Sequence, residues 1–492
     1  MSDDYKNASA GAVEKKEQDD HPQRDESGLS AEVYLLSTAG IAAIAGFLYG
    51  YDTGIISGAL LQISNEFHLT HTSQELVTSA ILVGAVVGAL STGKLAAVIG
   101  RRYTIMSVAF LFIVGVLCCG FSTSATLLGI SRLILGAAVG GASQIVPVYI
   151  AELAPPSKRG SLVTYFNISI GVGILGAGLV GAFLQDVWSW RTMIMVAGIP
   201  ALVLALGMFK LPESPRWLVG QKRLKEARQS LGMVRETNRE VMREIRAIQE
   251  NRKASSKAQR AGWSELRKPW LRPALIAGLG VAAFTQLSGI EMMIYYTPTF
   301  LSDAGFSHKA ALYSALGVAV IYLVMTIAGK TMVDHVGRRR LALIMLPGAI
   351  ISLLLLGGIW VFGANGPNAA WLIVVCLFAF MTFNSGGIQV IGWLVGAEVY
   401  PTSIREKASS LHAAVLWGSN LFLTGTALSM VSLLTIGGAM WFYALLNILG
   451  FVFIYFFVPE TKGKSLEQIE QDLKDGQFSR FQVDERKHHH AD

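Results

Sequence analysis

Residues 439–458 read AMWFYALLNILGFVFIYFFV, an apolar run that one asparagine interrupts and that holds no charge. A helix of about 20 mostly apolar residues is long enough to cross the hydrocarbon core of a bilayer. A second run, Val108–Cys119, has the same character. The sequence therefore predicts helices that span a membrane.

The same pattern extends over most of the chain. Of the 492 residues, 52% are hydrophobic and only 15% are charged, whereas soluble domains carry about a quarter charged residues. Twelve windows can be drawn, which we number spans one to twelve. They lie near residues 33–62, 75–98, 103–122, 124–151, 161–186, 190–211, 272–302, 310–333, 339–363, 369–399, 406–432 and 435–458. We predict an all-α membrane protein with twelve transmembrane helices.

Three polar signatures occur twice, in the same order and at a nearly constant offset. Each follows an even-numbered span: Gly100-Arg101-Arg102 and Gly337-Arg338-Arg339, Glu152 with Arg159 and Glu398 with Arg405, and Pro212-Glu213 and Pro459-Glu460. The chain is therefore predicted to be two parallel six-helix halves, an architecture of transporters with a site between the halves. The predicted units are a disordered tail (1–32), a half (33–211), cytoplasmic linker helices (212–271), a second half (272–459) and a tail (460–492).

Lysine and arginine concentrate in the joints on one side of the predicted membrane. That side carries the repeated signatures and the joint 212–271, whereas the opposite joints hold little that is basic beyond Arg191 and Lys309. Cytoplasmic loops carry an excess of Lys and Arg. We expect this side and both termini in the cytoplasm of a cell (inner) membrane. Topology then explains the net charge of +7, and no nucleic-acid partner is expected.

Arginine and glutamate on neighbouring helix ends can pair when their side of a transporter is shut, and opening must break such pairs. We predict a cytoplasmic gate in which the first copy carries Ala97 where the second carries Asp334. Its residues are Arg101, Arg102, Glu152, Arg159, Asp334, Arg338, Arg339, Glu398 and Arg405. The alternative is that these residues only fix topology, although glutamate contributes little to orientation.

Four stretches resemble the sugar porter family of the major facilitator superfamily. They are Gly50-Tyr51-Asp52-Thr53-Gly54, the Gly-Arg-Arg pairs, Pro212–Leu218 (PESPRWL) and Pro459–Gly463 (PETKG). The resemblance covers about residues 33 to 470. It implies a sugar held between the halves by polar and aromatic side chains of spans one, five, seven, ten and eleven. Members of the family are proton symporters or passive facilitators.

Asp52 lies near the middle of span one, where a charge costs roughly 2.5–3.5 kcal/mol on insertion scales. Arg132, at the start of span four, is the basic residue of this half that is placed to meet it. Proton symporters that resemble this chain have the same two residues at these places. We predict that protonation of Asp52 releases Arg132 and couples a proton to the conformational change. The alternative is a permanent ion pair that never titrates.

Span seven departs from the family pattern. The family has Gln-Gln, then Gly, then Asn, and this chain keeps Gln286 and Gly289 but has Thr285 and Glu291 in the other two places. An ionised carboxylate only accepts hydrogen bonds, whereas an amide also donates. Glu291 is therefore predicted to be a substrate ligand, a second proton site, or a structural residue paired with a neighbour. Gln389-Val390 also replaces a Gly-Pro.

The resemblance implies a substrate-binding set that combines aromatic rings for stacking with polar groups at the ring edge. Asn167 in this set stands where the family has a glutamine. The set is Tyr49, Asn167, Thr285, Gln286, Glu291, Tyr295, Trp393, Trp417 and Asn420.

The predicted function is secondary active transport, with proton-coupled symport of a sugar or related polyol by alternating access. A passive facilitator, a sugar sensor of the same fold, or a transporter of a cationic or otherwise unusual metabolite are the alternatives. A membrane enzyme and an ATP-driven pump are disfavoured, because the joints hold no phosphate-binding loop, metal cluster or activated nucleophile. We expect no cofactor and no metal. The expected partners are a small-molecule substrate, protons and the lipid bilayer, and the chain is expected to be a monomer.

Overall fold

The computed structural model describes residues 30–155, 158–258, 263–362, 367–401, 404–464 and 466–478. Most of the predicted amino-terminal tail and the His488–His490 run at the carboxyl terminus, predicted to be solvated, lie outside these residues. The helices of the first half are Ala31–Phe67, His71–Ile99, Arg101–Gly120, Ala125–Leu153, Arg159–Phe183, Trp190–Met195 and Gly198–Met208. Those of the second half are Arg272–Leu287, Ile290–Asp303, His308–Val336, Arg338–Val361, Pro367–Gly386, Ile388–Val399, Arg405–Thr424 and Ala427–Phe457.

Eleven of the twelve predicted spans are long and apolar enough, within the described residues, to cross a membrane. The remaining one, span eleven, is the helix Arg405–Thr424, which falls outside this set because it is more polar and includes His412 and Asn420. After a break at Gly425 and Thr426, helical residues resume at Ala427, and the non-helical backbone at Thr435, where φ is +65°, separates them from the helix that reaches Phe457. This separation lies at the predicted border between spans eleven and twelve.

Span seven is divided into two helices between Gln286 and Glu291. The first ends at Leu287, and the second begins at Ile290 after Gly289, whose φ is +95°. That backbone conformation is open to glycine at little cost and is strained for other residues. The break frees backbone groups beside Gln286 and Glu291, and discontinuous helices are a common way to build transporter binding sites.

Close helix packing in the first half brings spans one and four into position. A Cβ added to Gly50 would lie 1.9 Å from the carbonyl oxygen of Ile170, so spans one and five meet backbone to backbone. Gly136 of span four approaches the carbonyl oxygen of Ile81 in span two equally closely. Small residues allow such contacts between membrane helices. The spans that carry Asp52 and Arg132 are thus each packed closely against another span of the same half.

Between the halves lie linker helices Pro215–Gly220, Leu224–Val234 and Asn238–Ala258, then two 3-10 turns, Trp263–Arg267 and Pro269–Leu271. Leu231, Val241 and Ile245 are buried against one another, as their helical spacing predicts. A last helix, Leu466–Lys474, follows span twelve. The predicted amphipathic character of the linker is confirmed.

Polar contacts join the two halves at one end of the bundle. We call the end that carries Arg101 and Arg338 the basic end and the opposite end the far end. At the far end, Lys309 pairs with Asp186 at 3.2 Å, and the side chain of His308 lies 2.6 Å from that of Gln185. At the basic end, the ion pairs between described residues each join residues of one half or of the linker. The conformation is therefore closed at the far end.

Candidate transport site

Asp52 and Arg132 meet in the interior of the first half, as predicted. Nη1 of Arg132 lies 3.6 Å from Oδ1 of Asp52, and the two side chains are 0% and 2% exposed respectively. Within the described part of the chain neither charged group has a hydrogen-bond partner. The pair is therefore held by charge alone, in surroundings that make each partner depend strongly on the other.

Glu291 lies in a cluster of phenol groups contributed by both halves. Its carboxylate is within electrostatic range of the hydroxyls of Tyr49, Tyr295 and Tyr322, and the residue is 4% exposed. The hydroxyl of Tyr295 of span seven lies near Thr53 of span one. Span seven thus links Glu291 to the segment that carries Asp52.

Several predicted substrate ligands point polar atoms into buried space without a partner in the described structure. They are Gln286 through Oε1, Trp417 through Nε1 and Asn420 through Nδ2. The ring of Trp417 lies 5.6 Å from that of Tyr49, centroid to centroid. Unpaired buried donors and acceptors are costly, so these atoms are candidates to receive the hydroxyl groups of a ligand.

The three other predicted ligands are not among the described residues with unpaired buried atoms. Asn167 on span five is half-buried. Thr285 donates its hydroxyl to the carbonyl oxygen of Val281 at 2.7 Å and is fully buried, so it packs inside the second half and offers a ligand only its lone pairs. The side chain of Trp393 lies outside the described part of the chain.

Sequence reasoning missed Tyr322 of span eight. Its hydroxyl lies near Gln389, the residue that departs from the family's Gly-Pro, and near Thr326, but Oε1 of Gln389 and Oγ1 of Thr326 have no hydrogen-bond partner in the described structure. Asn384 of span ten also has its Nδ2 buried without a described partner, while its Oδ1 accepts from Ser288. A tyrosine or asparagine in an apolar span was the available signal, and it does not by itself separate packing from ligand binding.

Comparison with known proteins places these residues in a family. The family described as "Sugar (and other) transporter" matches residues 38–473. The chain belongs to this family. It is a multi-pass membrane transporter of the major facilitator fold, not an enzyme.

Some curated relatives of this sugar transporter family member are named as sugar or polyol transporters, and others as putative or probable metabolite transport proteins. It is 36% identical over 448 residues to the glucose transporter GlcP of Staphylococcus epidermidis, covering 91% of this chain and 98% of that protein. It is 36% identical to the D-xylose transporter of Levilactobacillus brevis, covering 88% and 94%. It is 33% identical to the major myo-inositol transporter IolT of Bacillus subtilis, covering 88% and 93%.

A solved structure shares the fold of this transporter over most of the chain. The xylose transporter XylE from E. coli, in a partially occluded inward open conformation, superposes with a TM-score of 0.77 at 26% identity. The match covers 88% of this chain and 100% of that one. Another structure, of the proton:xylose symporter XylE with a bound bromodeoxyglucose, gives a TM-score of 0.73 at 27% identity, covering 89% and 99%.

At the basic end of the transporter, the three repeated signatures of the first half form one cluster. Arg101 pairs with Glu152 at 2.9 Å, and Ser214 donates its hydroxyl to the same carboxylate. Glu213 accepts from the backbone N–H groups of Arg101 at 2.9 Å and Arg102 at 3.1 Å. Glu213 therefore caps the amino terminus of span three, where helix N–H groups lack partners. Burial nevertheless raises the pKa of the Glu213 carboxyl.

The second half repeats this cluster with equivalent residues. Arg338 pairs with Glu398 at 2.8 Å, and Thr461 donates to that carboxylate at 2.6 Å. Glu460 accepts from the backbone N–H of Arg338 at 2.8 Å. Asp334 adds an ion pair with Arg338 at 3.4 Å. The predicted gate pairs are thus present, and each lies within one half.

The other predicted gate arginines bind carbonyl groups. Arg102 donates to the carbonyl oxygen of Phe209 at 2.6 Å, and Arg339 donates to that of Tyr455 at 2.9 Å. Arg159 donates to Ala151, and Arg405 donates to Tyr400.

Sequence reasoning used Pro212-Glu213 and Pro459-Glu460 only as evidence of a repeat and missed their capping role. Their recurrence beside the Gly-Arg-Arg pairs was the signal that could have revealed it.

A buried acid fastens the halves at the far end. Glu75, at the start of span two, accepts from the backbone N–H of Ser429 at 2.6 Å and from its hydroxyl at 2.5 Å. Ser429 lies in the first turn of the helical segment that begins at Ala427, so a residue of one half caps a helix of the other. Glu75 is 3% exposed, and this contact belongs to the closed state of the far end.

Proposed function

We propose that this protein is a proton-coupled symporter of a sugar or related polyol. The observation that carries the proposal is the buried Asp52–Arg132 pair, which lies on spans one and four beside the cluster between the halves. Both charges are within electrostatic range of the Tyr295 hydroxyl in that cluster. A proton on Asp52 would cancel the attraction to Arg132, and the change can reach the substrate through Tyr295 and Thr53.

Orientation follows from the distribution of basic residues. We propose that the basic end faces the cytoplasm and that the far end faces outward, with both termini inside and the protein a monomer in the cell (inner) membrane. The described conformation is then inward-facing. The likeness to an inward open structure of a xylose transporter supports this proposal. The domain borders predicted at residues 32, 211, 271 and 459 are retained in it.

Transport would proceed by rocking one half on the other about the site between them. Substrate hydroxyls would replace the missing partners of Gln286, Glu291 and Asn420, while Tyr49 and Trp417 supply apolar faces. The clusters at the basic end keep each half rigid. Glu75 releases Ser429 when the far end opens. If the ion pairs of the basic end act as a gate, their residues must exchange partners when the far end opens and the basic end closes.

Transport into proteoliposomes tests this proposal. The purified protein is reconstituted and offered labelled D-xylose, D-glucose and myo-inositol, with and without a proton gradient directed into the liposomes. Accumulation of one of these above its external concentration only under the gradient supports symport. Equilibration unaffected by the gradient would identify a passive facilitator, and no uptake of any polyol would refute the sugar function.

A further inference from the structure

Glu291 is an acid without a counter-charge. It is 4% exposed, and its Oε2 atom has no hydrogen-bond partner in the described structure. No ion pair between described residues includes it, although twelve such pairs occur elsewhere. An ionised carboxylate in this position would be buried with neither a cation nor a full set of donors, which is strongly unfavourable.

The surrounding groups do not relieve this deficit. The ionisable groups facing Glu291 are Tyr49 from span one, Tyr322 from span eight and Tyr295 on its own span. All three are phenols and carry no positive charge. Phenols can donate hydrogen bonds, but the Oε2 atom of Glu291 receives none from them in the described structure. The positive charge of Arg132 is already paired with Asp52.

A carboxylic acid in its neutral form has the properties that a polyol site needs. It offers one O–H donor and keeps acceptor capacity, so it can both give and take a hydrogen bond as an amide does. A ring hydroxyl also does both. In contrast, the ionised form would present only acceptors, and the same span already holds one acceptor, Oε1 of Gln286, that lacks a described partner.

We infer that the transporter binds its neutral polyol with a proton held on Glu291, and that this proton is separate from the one on Asp52. The inference rests on the proposed function and specifies the ligand as uncharged. No covalent step is involved: the proton comes from solvent and leaves with, or after, the substrate. Each transport cycle then has two carboxyl groups, one in each half, that can carry a proton.

Calorimetry on purified protein tests this inference in the background of Asp52→Asn, which removes the other proton site. Binding of D-xylose, D-glucose and myo-inositol is measured from pH 5 to pH 9. Where Glu291 ionises, affinity is expected to fall about tenfold per pH unit, and binding should take up a proton, seen as a dependence on buffer ionisation heat. Glu291→Gln should bind with an affinity that does not vary with pH in this way.

Two controls sharpen the result. Glu66→Gln removes an acid that pairs with Arg191 within the first half at the far end, and it should leave the pH dependence unchanged. If the glutamine variant folds poorly, Glu291→Asn repeats the test. Proton uptake is measured with Glu291 in place, so that measurement requires no substitution at this position. D-Glucosamine, which carries an amine, should not gain affinity as pH rises.

The outcomes separate the two levels of the proposal. Flat affinity and no proton uptake for a neutral polyol would overturn the role of Glu291 and leave sugar transport standing. Tighter binding of D-glucosamine at higher pH would overturn it in favour of Glu291 as an ionised partner of a cationic substrate. If no neutral polyol binds at any pH even to the unmodified protein, the sugar function itself fails, and this inference fails with it.

Discussion

Replacing Glu75 with glutamine should shift the transporter toward the state that is open at the far end. In the described state the Glu75 carboxylate accepts two hydrogen bonds from Ser429, and it bridges halves that must separate when this end opens. Glutamine keeps one acceptor oxygen, but it loses the charge and turns an NH₂ group toward one of the two donors. When the far end is open, water can solvate either side chain.

The structure sets the expected magnitude. A hydrogen bond to a charged group contributes roughly 1.5–3 kcal/mol, and the substitution removes about one such bond. A loss of about 2 kcal/mol corresponds to a shift of about 30-fold in the ratio of the two states. Ser429→Ala removes only the hydroxyl contact and should shift the ratio less.

A cysteine at Ser57 can report the opening. Ser57 is 4% exposed, its hydroxyl has no described partner, and it lines a small cavity between spans one, five, seven and eight. The assay measures the rate at which a membrane-impermeant maleimide labels Ser57→Cys from outside. Cys118 is replaced because it is partly exposed, whereas Cys119 and Cys376 are buried.

The labelling rate should rise about 30-fold in Glu75→Gln and stay unchanged in Glu66→Gln, an acid at the same end that pairs within its own half. An unchanged or lower rate in Glu75→Gln would refute the claim that this contact holds the far end closed. A rise in both variants would point to a general loosening of the protein.

Other predictions concern coupling and the basic end. Asp52→Asn should abolish accumulation driven by a pH gradient but retain counterflow exchange, and full accumulation by this variant would exclude Asp52 as a proton carrier. Gly100→Ala should lower the free energy of unfolding by about 2 kcal/mol, because φ is +95° there and the new Cβ would lie 2.3 Å from a carboxylate oxygen. Gly93→Ala, in open space, should leave thermal unfolding nearly unchanged. Glu152→Gln and Glu398→Gln should each lower the unfolding temperature by a similar amount, since they hold equivalent arginines, and a large difference between them would contradict that equivalence.

The membrane spans and the Asp52–Arg132 pair could be predicted because strong physical constraints leave few solutions. Apolar stretches of this length have one stable environment, and an acid in the middle of one must pair or face water. The break in span eleven at Gly425 and Thr426 was harder to predict, because the apolar run continues past Thr424.

The caps made by Glu213 and Glu460 illustrate what sequence reasoning could not supply. An acid in a polar joint reads as solvent-exposed, and its contact with a helix end more than 100 residues away arises only from the tertiary fold. Tyr322 is similar, since a tyrosine in an apolar helix usually packs. Thr285 shows a further limit: the sequence does not reveal that the hydroxyl at this family ligand position donates to its own helix.

Each basic-end cluster is closed on itself, because the acid that follows the last span of a half returns to the third span of that same half. None of the contacts that define one cluster depends on a residue of the other. The two halves are therefore suited to production as separate polypeptides, divided between the linker helices and span seven. Such a divided transporter would let isotope labels or substitutions be placed in one half alone, so that the movement of each half could be followed separately.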